Sequence, residues 1–360
     1  MAQKMKKIIL LLCVVAALAG TLFYRTTLQQ REVVILSTND MHANIENFAS
    51  LVTAVNLCRD SVATLLVDAG DRWTGNVYVD LAEGRLPIID LMNHIGYDAA
   101  TLGNHEFDKG AALLQGAISH ANFPIVCANM QSNREDMSTP LAAVTLKSKN
   151  GVRFHVAGVV TNFDGGHPEG SNEVYEGLTF SHPFDAATEA LSAAKSGDIR
   201  LLLSHMGDDR DVQYASATDC CDIIIGGHTH VVMDSVVNNV VIGQTGRKLK
   251  NIGATTVRLK GRNITSIDYR NIPLAEYAKD STTLALIAQI EDNPKLKVKV
   301  GKFANAVSHV GFADLLTRSL AEAMGTQLAF YHYGGIRLAE PPADDIKLST
   351  IYNLEPFESK

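Results

Sequence analysis

The segment LGNHEFDKG (102–110) places an amide, an imidazole and two carboxylates directly after a strand-like apolar run. Asn104, His105, Glu106 and Asp108 are poorly suited to a hydrophobic core. Side chains of these types bind metal ions or transfer protons. The segment therefore indicates a chemical site at the end of a buried strand.

Five strand-like runs in all end in side chains that bind divalent metals. In chain order these side chains are Asp40 and His42, Asp71, Asn104 and His105, His205, and His228 and His230. The carboxyl ends of strands in an α/β sheet lie side by side, so residues far apart in the chain converge at that edge. His, Asp and Asn suit Zn, Mn, Fe or Co, and the lack of clustered cysteines argues against a structural zinc site.

The spacing within these groups supports shared ligation. Asp40 and His42 are two residues apart, as are His228 and His230, and such residues share one face of an extended segment. Asp71 can bridge two cations because a carboxylate has two oxygens. Two metals about 3.5–4 Å apart lower the pKa of a bridging water and hold both ends of an in-line displacement at phosphorus. We therefore predict a two-metal site for phosphate chemistry.

The elements that must position these groups alternate between strands and helices. Strand-like runs cover 32–40, 62–71, 97–108, 123–130, 199–209 and 221–230, and helix-compatible segments cover 46–60, 86–95, 109–120 and 185–195. This alternation is typical of an α/β fold with buried sheets. Further β-rich runs between 152 and 270 lack intervening helices, which indicates mixed or antiparallel pairing. We predict an α/β fold, α+β in part, with a two-sheet sandwich flanked by helices.

The N-terminus has the layout of a secretory signal. A basic segment, MAQKMKK, precedes an apolar run (8–23), and the ALA sequence at 17–19 fits a cleavage site. The run is slightly short for a membrane span of ~20 residues. Residues 1–24 are therefore interpreted as a signal peptide, with an uncleaved membrane tether as the alternative. Either interpretation predicts an extracytoplasmic body, in the periplasm or at the cell surface.

Composition limits the remaining function classes. A length of 360 residues suits two domains, and an apolar fraction of 46% allows a large core. The net charge is −7 and basic residues are scattered, which argues against a nucleic acid polymer as partner. We expect Cys58, Cys127, Cys220 and Cys221 to be small buried residues, although export permits disulfides.

The motifs STNDMHANI, DAGD, LGNHEFD, LLLSHMG and IIIGGHTH together resemble those of the calcineurin-like metallophosphatases, specifically the 5′-nucleotidase / UDP-sugar hydrolase family. The resemblance covers roughly residues 33–270. It implies a four-layer αββα fold with a dinuclear metal centre. The implied ligands are Asp40, His42 and His230 for one metal, Asn104, His205 and His228 for the other, and Asp71 as the bridge.

The same family pattern gives His105 and Asp108 a catalytic role without metal ligation. His105, oriented by Asp108, would neutralise charge developing on the phosphoryl group and assist the leaving oxygen. Asp108 also fits the N-cap of a helix at 109–120. Glu106 is interpreted as structural.

The C-terminal part follows the family pattern only in places. We expect a metallophosphatase domain at 32–272, a connecting helix within 273–296, and a C-terminal specificity domain at 297–360. In the family, this last domain binds the nucleoside with arginines near a Gly-Gly-x-Arg turn and stacks the base between two aromatic rings. By resemblance, the candidate substrate-binding residues are Gly334, Gly335 and Arg337 in YHYGGIR, and Phe357.

The second aromatic ring with which the family stacks the base has no counterpart in this sequence after Phe357. We therefore expect an incomplete specificity domain, because the chain is a fragment or because a separate chain completes it. A region of this size can bury only a limited core of its own.

These observations predict an exported, metal-dependent hydrolase of phosphate esters, most similar to a 5′-nucleotidase, in which hydroxide held by two metals attacks phosphorus directly. The substrate would be a nucleotide or another small phosphate ester. A cyclic-nucleotide phosphodiesterase or a UDP-sugar pyrophosphatase would share the same catalytic edge. A non-catalytic metal- or partner-binding protein is the alternative of another class. The His105–Asp108 pair argues against it, because neither residue is needed merely to hold metals.

Overall fold

The computed structural model describes residues 14–21, 24–162, 166–303, 307–332, 335–336 and 345–355. The strands are β1 (Gln30–Thr38), β2 (Ala63–Asp68), β3 (Ala99–Thr101), β4 (Ile125–Val126), β5 (Met130–Ser132), β6 (Ala143–Lys147), β7 (Arg153–Val160), β8 (Leu178–Phe180), β9 (Ile199–His205), β10 (Ile223–Ile225), β11 (Val232–Val237), β12 (Val240–Thr245), β13 (Asn251–Lys260), β14 (Asn263–Pro273), β15 (Lys299–Lys302) and β16 (Asp345–Lys347).

Helices connect many of these strands. Helical residues 14–21 belong to α1. The others are α2 (Phe48–Ser61), α3 (Val77–Asp80), α4 (Pro87–Ile95), α5 (Ala111–His120), α6 (Pro183–Ser192), α7 (Asp208–Ala217), α8 (Ser281–Ile290), α9 (His309–Met324) and α10 (Leu348–Leu354). In the part of the chain given above, no helix is both long and apolar enough to span a membrane.

Two six-stranded sheets form the body of the molecule. The first sheet has the order β14-β13-β1-β2-β3-β4, and the second has the order β11-β12-β10-β9-β7-β6. In the first sheet β1, β2, β3 and β4 run parallel, whereas β13 and β14 are antiparallel additions at one side. The second sheet has a parallel centre of β12, β10, β9 and β7, with β11 and β6 as antiparallel edges.

The alternation of side chains along the strands builds three apolar layers. Val33 and Ile35 of β1 face Leu203 and other residues of the second sheet in the layer between the sheets. Val34, one position away on β1, packs with α2 residues in the outer layer of the first sheet. Leu202 packs with α6 and α7 residues beyond the second sheet. Strands covered on both faces read as continuous apolar runs. The predicted four-layer αββα sandwich is confirmed.

The chain after the sandwich differs in detail from the connecting helix expected within 273–296. A 3₁₀ turn covers Leu274–Glu276, and α8 begins only at Ser281. The side chain of Asp280 accepts the backbone N–H of Thr283 at 2.7 Å, which fixes the start of the helix at that position. The N–H of Asp280 donates to the carbonyl of Ala49 in α2 at 3.0 Å. The first turn of α8 therefore lies against the body.

The C-terminal region contains β15, which pairs with β16, and the helices α9 and α10. Its apolar cluster is small, with Phe312, Ile336 and Leu354 as the buried members. The predicted domain limits stay a prediction. All four cysteines between residues 24 and 303 are free thiols in the structure: Cys127 and Cys221 are buried, as expected, whereas Cys58 and Cys220 are only partly covered.

Candidate metal centre and active site

The carboxyl ends of β1, β2, β3, β9 and β10 meet at one edge of the sandwich. Thr38 at the end of β1 pairs with Asp68 at the end of β2, and Asp68 pairs with Ala100 of β3. The loops that follow are joined to each other, because the N–H of Asp40 donates to the carbonyl of Gly70 at 2.9 Å. All seven residues predicted as metal ligands follow or end these strands, so the fold brings them to one place.

Four of these residues form one compact cluster. Ligand atoms of Asp40, His42, Asp71 and His230 all lie within 4.8 Å of one another. The Nε2 atoms of His42 and His230 are 2.9 Å apart, and Nε2 of His230 lies 3.5 Å from Oδ1 of Asp40. Two carboxylates and two imidazoles are a suitable donor set for Zn, Mn, Fe or Co. The cluster therefore fits a divalent cation.

The other three residues form a second group beside the first. Nδ1 of His228 lies 3.1 Å from Oδ1 of Asn104, and the His228 and His205 rings meet edge to face with centroids 5.3 Å apart. Nε2 of His205 lies 3.2 Å from Oδ2 of Asp71, the same oxygen that lies 4.0 Å from Nε2 of His42. Asp71 is thus the residue between the two groups.

His205 gives a test of whether a cation fits here. Its Nδ1 is engaged with the carbonyl of Ala69 at 2.7 Å, which directs Nε2 into the site. That Nε2 is completely buried and makes no hydrogen bond of good geometry with a described residue, although Oδ2 of Asp71 lies 3.2 Å from it. A buried nitrogen in this situation is costly unless something binds it. A metal ion would satisfy it.

Unusual backbone conformations also concentrate in the candidate ligands. Asp40, His42, Asp71, His228 and His230 all have positive φ values, from 45° to 83°. For residues other than glycine this conformation costs on the order of 1–3 kcal/mol each. The positive φ values at these positions direct the side chains of neighbouring loops toward a common point.

Two glycines leave room for these side chains. A Cβ atom on Gly103 would collide with Asp71, and one on Gly227 would lie 2.8 Å from Nδ1 of His205. The glycines that precede Asn104 and His228 in the motifs are therefore explained by close approach of the ligand side chains.

The electrostatics of the site are those of carboxylates and imidazoles buried together. Burial raises the pKa of Asp40 to about 7, and the neighbouring Asp71 adds to the rise. Burial acts in the same direction on Asp71, but the adjacent His205 and His105 hold the pKa of that carboxyl well below its usual range. Burial opposes protonation of His205, yet Asp71 and Asp40 raise its pKa to about 10. Burial and the nearby His205 lower the pKa of His228.

His105 and Asp108 lie beside the cluster as a hydrogen-bonded pair. Nδ1 of His105 is 2.9 Å from Oδ2 of Asp108, and the His105 and His42 rings have centroids 5.3 Å apart. The N-cap role considered for Asp108 is wrong, because α5 begins at Ala111 and its N-cap position is Gly110. The Asp108 carboxylate therefore contacts His105 and does not cap the helix.

A chain of polar contacts behind this pair was not anticipated from the sequence. The Thr74 hydroxyl donates to Oδ2 of Asp108 at 2.5 Å, the oxygen that also faces His105. Arg85 in turn donates to the Thr74 hydroxyl at 3.2 Å and pairs with Asp80. Asp80 accepts the backbone N–H groups of Thr74, Gly75 and Asn76 at 2.8–3.0 Å, which holds the loop in place. No short motif connects these residues.

The Glu106 side chain joins the loop that carries Asp71 to the loop that carries Asn104. Its carboxylate accepts the backbone N–H of Arg72 at 2.7 Å and that of Asp71 at 2.9 Å, and it also accepts the N–H of Gly103. Asp71 and Asn104 are thereby held in a fixed relation. The structural interpretation of Glu106 agrees with these contacts.

An open cavity of about 430 Å³ adjoins the candidate centre. His105, Asn104, Arg85 and Lys109 line one part of it, and Glu169 lines another. Oε1 of Glu169 lies 3.7 Å from Nε2 of His228. Glu169 belongs to a loop that carries none of the strand-end motifs, so it was not identified from the sequence.

The predicted substrate-binding residues lie almost entirely outside the described part of the chain. Gly334, Arg337 and Phe357 are not described, and Gly335 is the one member of this group that is. The N–H of Gly335 donates to the carbonyl of His332 at 2.9 Å, as expected of a turn. The Asn353 side chain of α10 accepts the N–H of Val77 in α3 at 2.8 Å, which connects the C-terminal region to the loop that carries Thr74.

Comparisons with known proteins agree with this architecture. The family model of the calcineurin-like phosphoesterases matches residues 33–232. The chain belongs to this family, as its motifs predicted, and its candidate cluster of Asp and His residues supports the use of a divalent metal. A 5′-nucleotidase precursor from Thermus thermophilus has the same fold, with a TM-score of 0.76, 21% identity, and 91% of this chain and 74% of that chain covered.

The relatives include proteins named as a nucleotide phosphoesterase and as a 5′-nucleotidase. The trifunctional nucleotide phosphoesterase protein YfkN of Bacillus subtilis is 26% identical over 91% of this chain and 26% of its own length. Protein UshA of Yersinia enterocolitica is 28% identical over 91% of this chain and 72% of its own length. The 5′-nucleotidase of Rattus norvegicus is 29% identical over 60% of this chain and 41% of its own length. The chain spans 26% and 31% of the lengths of YfkN and of endonuclease YhcR from Bacillus subtilis.

Proposed function

We propose that this chain is a metal-dependent hydrolase of phosphate esters that acts outside the cytoplasm on nucleoside monophosphates, as 5′-nucleotidases do. The observation that carries the proposal is the meeting of seven candidate ligands from five strand ends beside the His105–Asp108 pair. Holding metals alone does not need that pair. The relatives named as 5′-nucleotidases supply the substrate class.

The two groups of residues suit two cations. Asp40, His42 and His230 would hold one, and Asn104, His205 and His228 would hold the other, with Asp71 shared between them. When bound, two divalent cations supply an activated water and charge that stabilises the transition state at phosphorus. The donor set is compatible with Zn, Mn, Co and Fe.

The chain's own residues then have defined tasks. Asp108 fixes the orientation of the His105 ring through Nδ1, so that Nε2 can face the phosphoryl group and donate a proton to the leaving oxygen. Lys109 lines the same cavity and offers positive charge to a phosphate group, whereas Arg85 is paired with Asp80. The Thr74 hydroxyl donates to the same Asp108 oxygen that contacts His105 and so helps to fix the position of that carboxylate. A correctly oriented imidazole is the result.

A second candidate function is the cleavage of phosphodiesters or pyrophosphates such as cyclic nucleotides and UDP-sugars. The similarity to the trifunctional nucleotide phosphoesterase YfkN over 91% of this chain favours it. The catalytic edge would be the same in either case, so the difference must come from the region that binds the rest of the substrate. We assign that role to residues 297–360.

A phosphate-release screen tests the proposal. Purified protein supplied with Mn, Zn or Co should release phosphate from AMP or p-nitrophenyl phosphate, chelation should abolish the release, and adding metal back should restore it. Elemental analysis should find up to two transition-metal ions per chain. Cyclic nucleotides, UDP-glucose and bis-p-nitrophenyl phosphate separate the second candidate function. Protein that binds no metal, or that keeps its activity with chelator present, would refute both.

A further inference from the structure

A cationic cavity lies at the end of the sandwich opposite the candidate active site. It has a volume of about 350 Å³, and its lining includes Arg31, Arg153, Lys195 and Arg262 together with Asp198. Arg31 and Arg153 lie at the amino ends of β1 and β7, whereas the candidate metal ligands follow the carboxyl ends of strands. The length of β1 separates the two sites by on the order of 20 Å.

The positive charges of this cavity exceed the negative charge available to them. Four cationic side chains line it, and Asp198 is the one carboxylate among the lining residues. That carboxylate is engaged by Arg153, with Nε at 2.8 Å from Oδ1 and Nη2 at 2.9 Å from Oδ2. Since the whole chain has a net charge of −7, a local excess of cations is not a consequence of its composition.

Arg31 is partly buried in the wall of this cavity. One of its terminal nitrogens donates to the carbonyl of Gly261, and its buried Nε has no hydrogen-bond partner in the described part of the chain. Burial lowers the pKa of Arg31, and the neighbouring Arg262 guanidinium lowers it further. Two guanidinium groups that repel each other at a cavity wall are stabilised when an anion lies between them.

The side chains that line the cavity indicate which anion it binds. Guanidinium groups bind phosphate oxygens in a bidentate manner, and a set of several cations suits a group with more than one negative charge.

The N-terminal chain enters the fold beside this cavity, because the N–H of Gly261 donates to the carbonyl of Gln29 at 2.8 Å. The first 31 residues contain no Asp or Glu, and their apolar run ends at residue 23, close before Arg31.

We propose that this cavity binds a phosphate group, presented by the headgroup of an anionic phospholipid or by a soluble phosphate. The two sources share one chemistry, and an uncleaved apolar N-terminal run, which ends at residue 23 in the sequence, would bring Arg31 near a lipid surface. In a molecule bound in this way, the candidate active site faces away from the bilayer.

The test uses the metal-loaded full chain and an Arg31→Gln/Arg262→Gln double variant. Equilibrium dialysis with labelled inorganic phosphate should show one more site in the original protein than in the variant, beyond any phosphate held at the metal centre. Co-sedimentation compares vesicles of phosphatidylglycerol with vesicles of phosphatidylcholine. The preference for phosphatidylglycerol should fall by on the order of 25-fold in the variant, because each cation near an anionic surface contributes about a fivefold factor.

Two matched variants keep the result interpretable. Arg258→Gln removes an exposed arginine of β13 that pairs with Glu32 and Asp268 outside this cavity, and it should change neither measurement. Arg262→Gln alone changes an exposed residue of the β13–β14 turn. It should lower the preference for phosphatidylglycerol by about fivefold, and it serves as the test if the double variant does not fold. Hydrolysis of p-nitrophenyl phosphate should be unchanged in each folded variant.

The outcomes distinguish the two sources. Loss of dialysed phosphate without a change in vesicle binding identifies a soluble phosphate, and a loss of phosphatidylglycerol preference identifies the headgroup. If the folded Arg262→Gln or double variant binds phosphate and both kinds of vesicle as the original protein does, the cavity is not a phosphate site.

Discussion

The sandwich body and the C-terminal region differ in how completely their apolar side chains are buried. In the body, Val33 of β1 and Leu202 of β9 are completely buried, in two of three large apolar layers. In the described part of the C-terminal region, Phe312 lies in a small cluster, whereas Val310 is 66% exposed and Phe330 is 88% exposed. A densely packed body can fix a catalytic geometry closely. A region with little core cannot fix a substrate pocket equally well.

This difference makes a prediction about the size of mutational effects. Substitutions in the metal cluster should have the largest effects on turnover, those behind the catalytic pair should have smaller ones, and those in the C-terminal region should hardly alter generic hydrolysis. The contact between Asn353 and Val77 is one route by which the C-terminal region reaches the loop of Thr74.

The largest effect should come from Asp71→Ala. Asp71 lies between the two groups of candidate ligands, and without its carboxylate two bound cations would repel each other directly. Phosphate release should fall to the background rate, and metal content should fall below that of the original protein. Elemental analysis and a p-nitrophenyl phosphate assay measure both quantities. Full metal content with substantial activity would show that Asp71 does not bridge.

His105→Asn should have the next largest effect. It removes a proton donor but no candidate ligand, so metal content should be unchanged while kcat falls by about 10²–10⁴-fold. Asp108→Asn is the comparison variant and should reduce kcat less, because the imidazole remains but is held more loosely. If His105→Asn loses metal and activity in proportion, His105 is a ligand rather than a proton donor.

Most of the sandwich was predictable because its strands lie in apolar runs that end in polar residues, although β3, β4 and β10 are much shorter than the runs that contain them. Helices α2, α4, α5 and α6 were predicted within a few residues, as was the meeting of strand ends near Asp71. The start of α8 at Ser281 was not, because it depends on the Asp280 cap and on a contact with Ala49. Contacts of that kind are set by the tertiary structure, which local periodicity does not encode.

The candidate site shows the same limit of prediction from sequence, here for individual backbone angles and side-chain contacts. Motif spacing identified the residues that could bind metal, but the positive φ angles at Asp40 and His230 have no signal in a single sequence. Thr74 and Asp108 are 34 residues apart, so the hydroxyl that holds the carboxylate becomes visible only in the folded chain. Glu169 approaches His228 from a loop without a recognisable motif.

Thr74→Val should have an intermediate effect that tests this unanticipated contact. The substitution keeps the shape of the side chain but removes the hydroxyl that donates to Asp108 and accepts from Arg85. We expect kcat to fall by about tenfold, the loss of one hydrogen bond to a charged group, with KM and metal content nearly unchanged. Thr74→Ser keeps the hydroxyl and should restore kcat. A Thr74→Ser variant as impaired as Thr74→Val would mean that packing, and not the hydrogen bond, matters.

The smallest effect on generic turnover should come from Arg337→Ala, in the C-terminal region. Stacking of a base on an aromatic ring contributes about 1–3 kcal/mol when it is properly formed, and the sequence offers only Phe357 in a position that resembles the family's pair of rings. The protein should therefore bind AMP no more tightly than simple phosphate esters, so the KM values for AMP and p-nitrophenyl phosphate should be similar. Arg337→Ala should leave p-nitrophenyl phosphate turnover nearly unchanged, because Arg337 is assigned to nucleoside binding and not to the metal cluster. A much lower KM for AMP that disappears in Arg337→Ala would show that the C-terminal region forms a working nucleoside site without any further segment. In that case the contrast between the packed body and a loosely built specificity region would no longer hold for function.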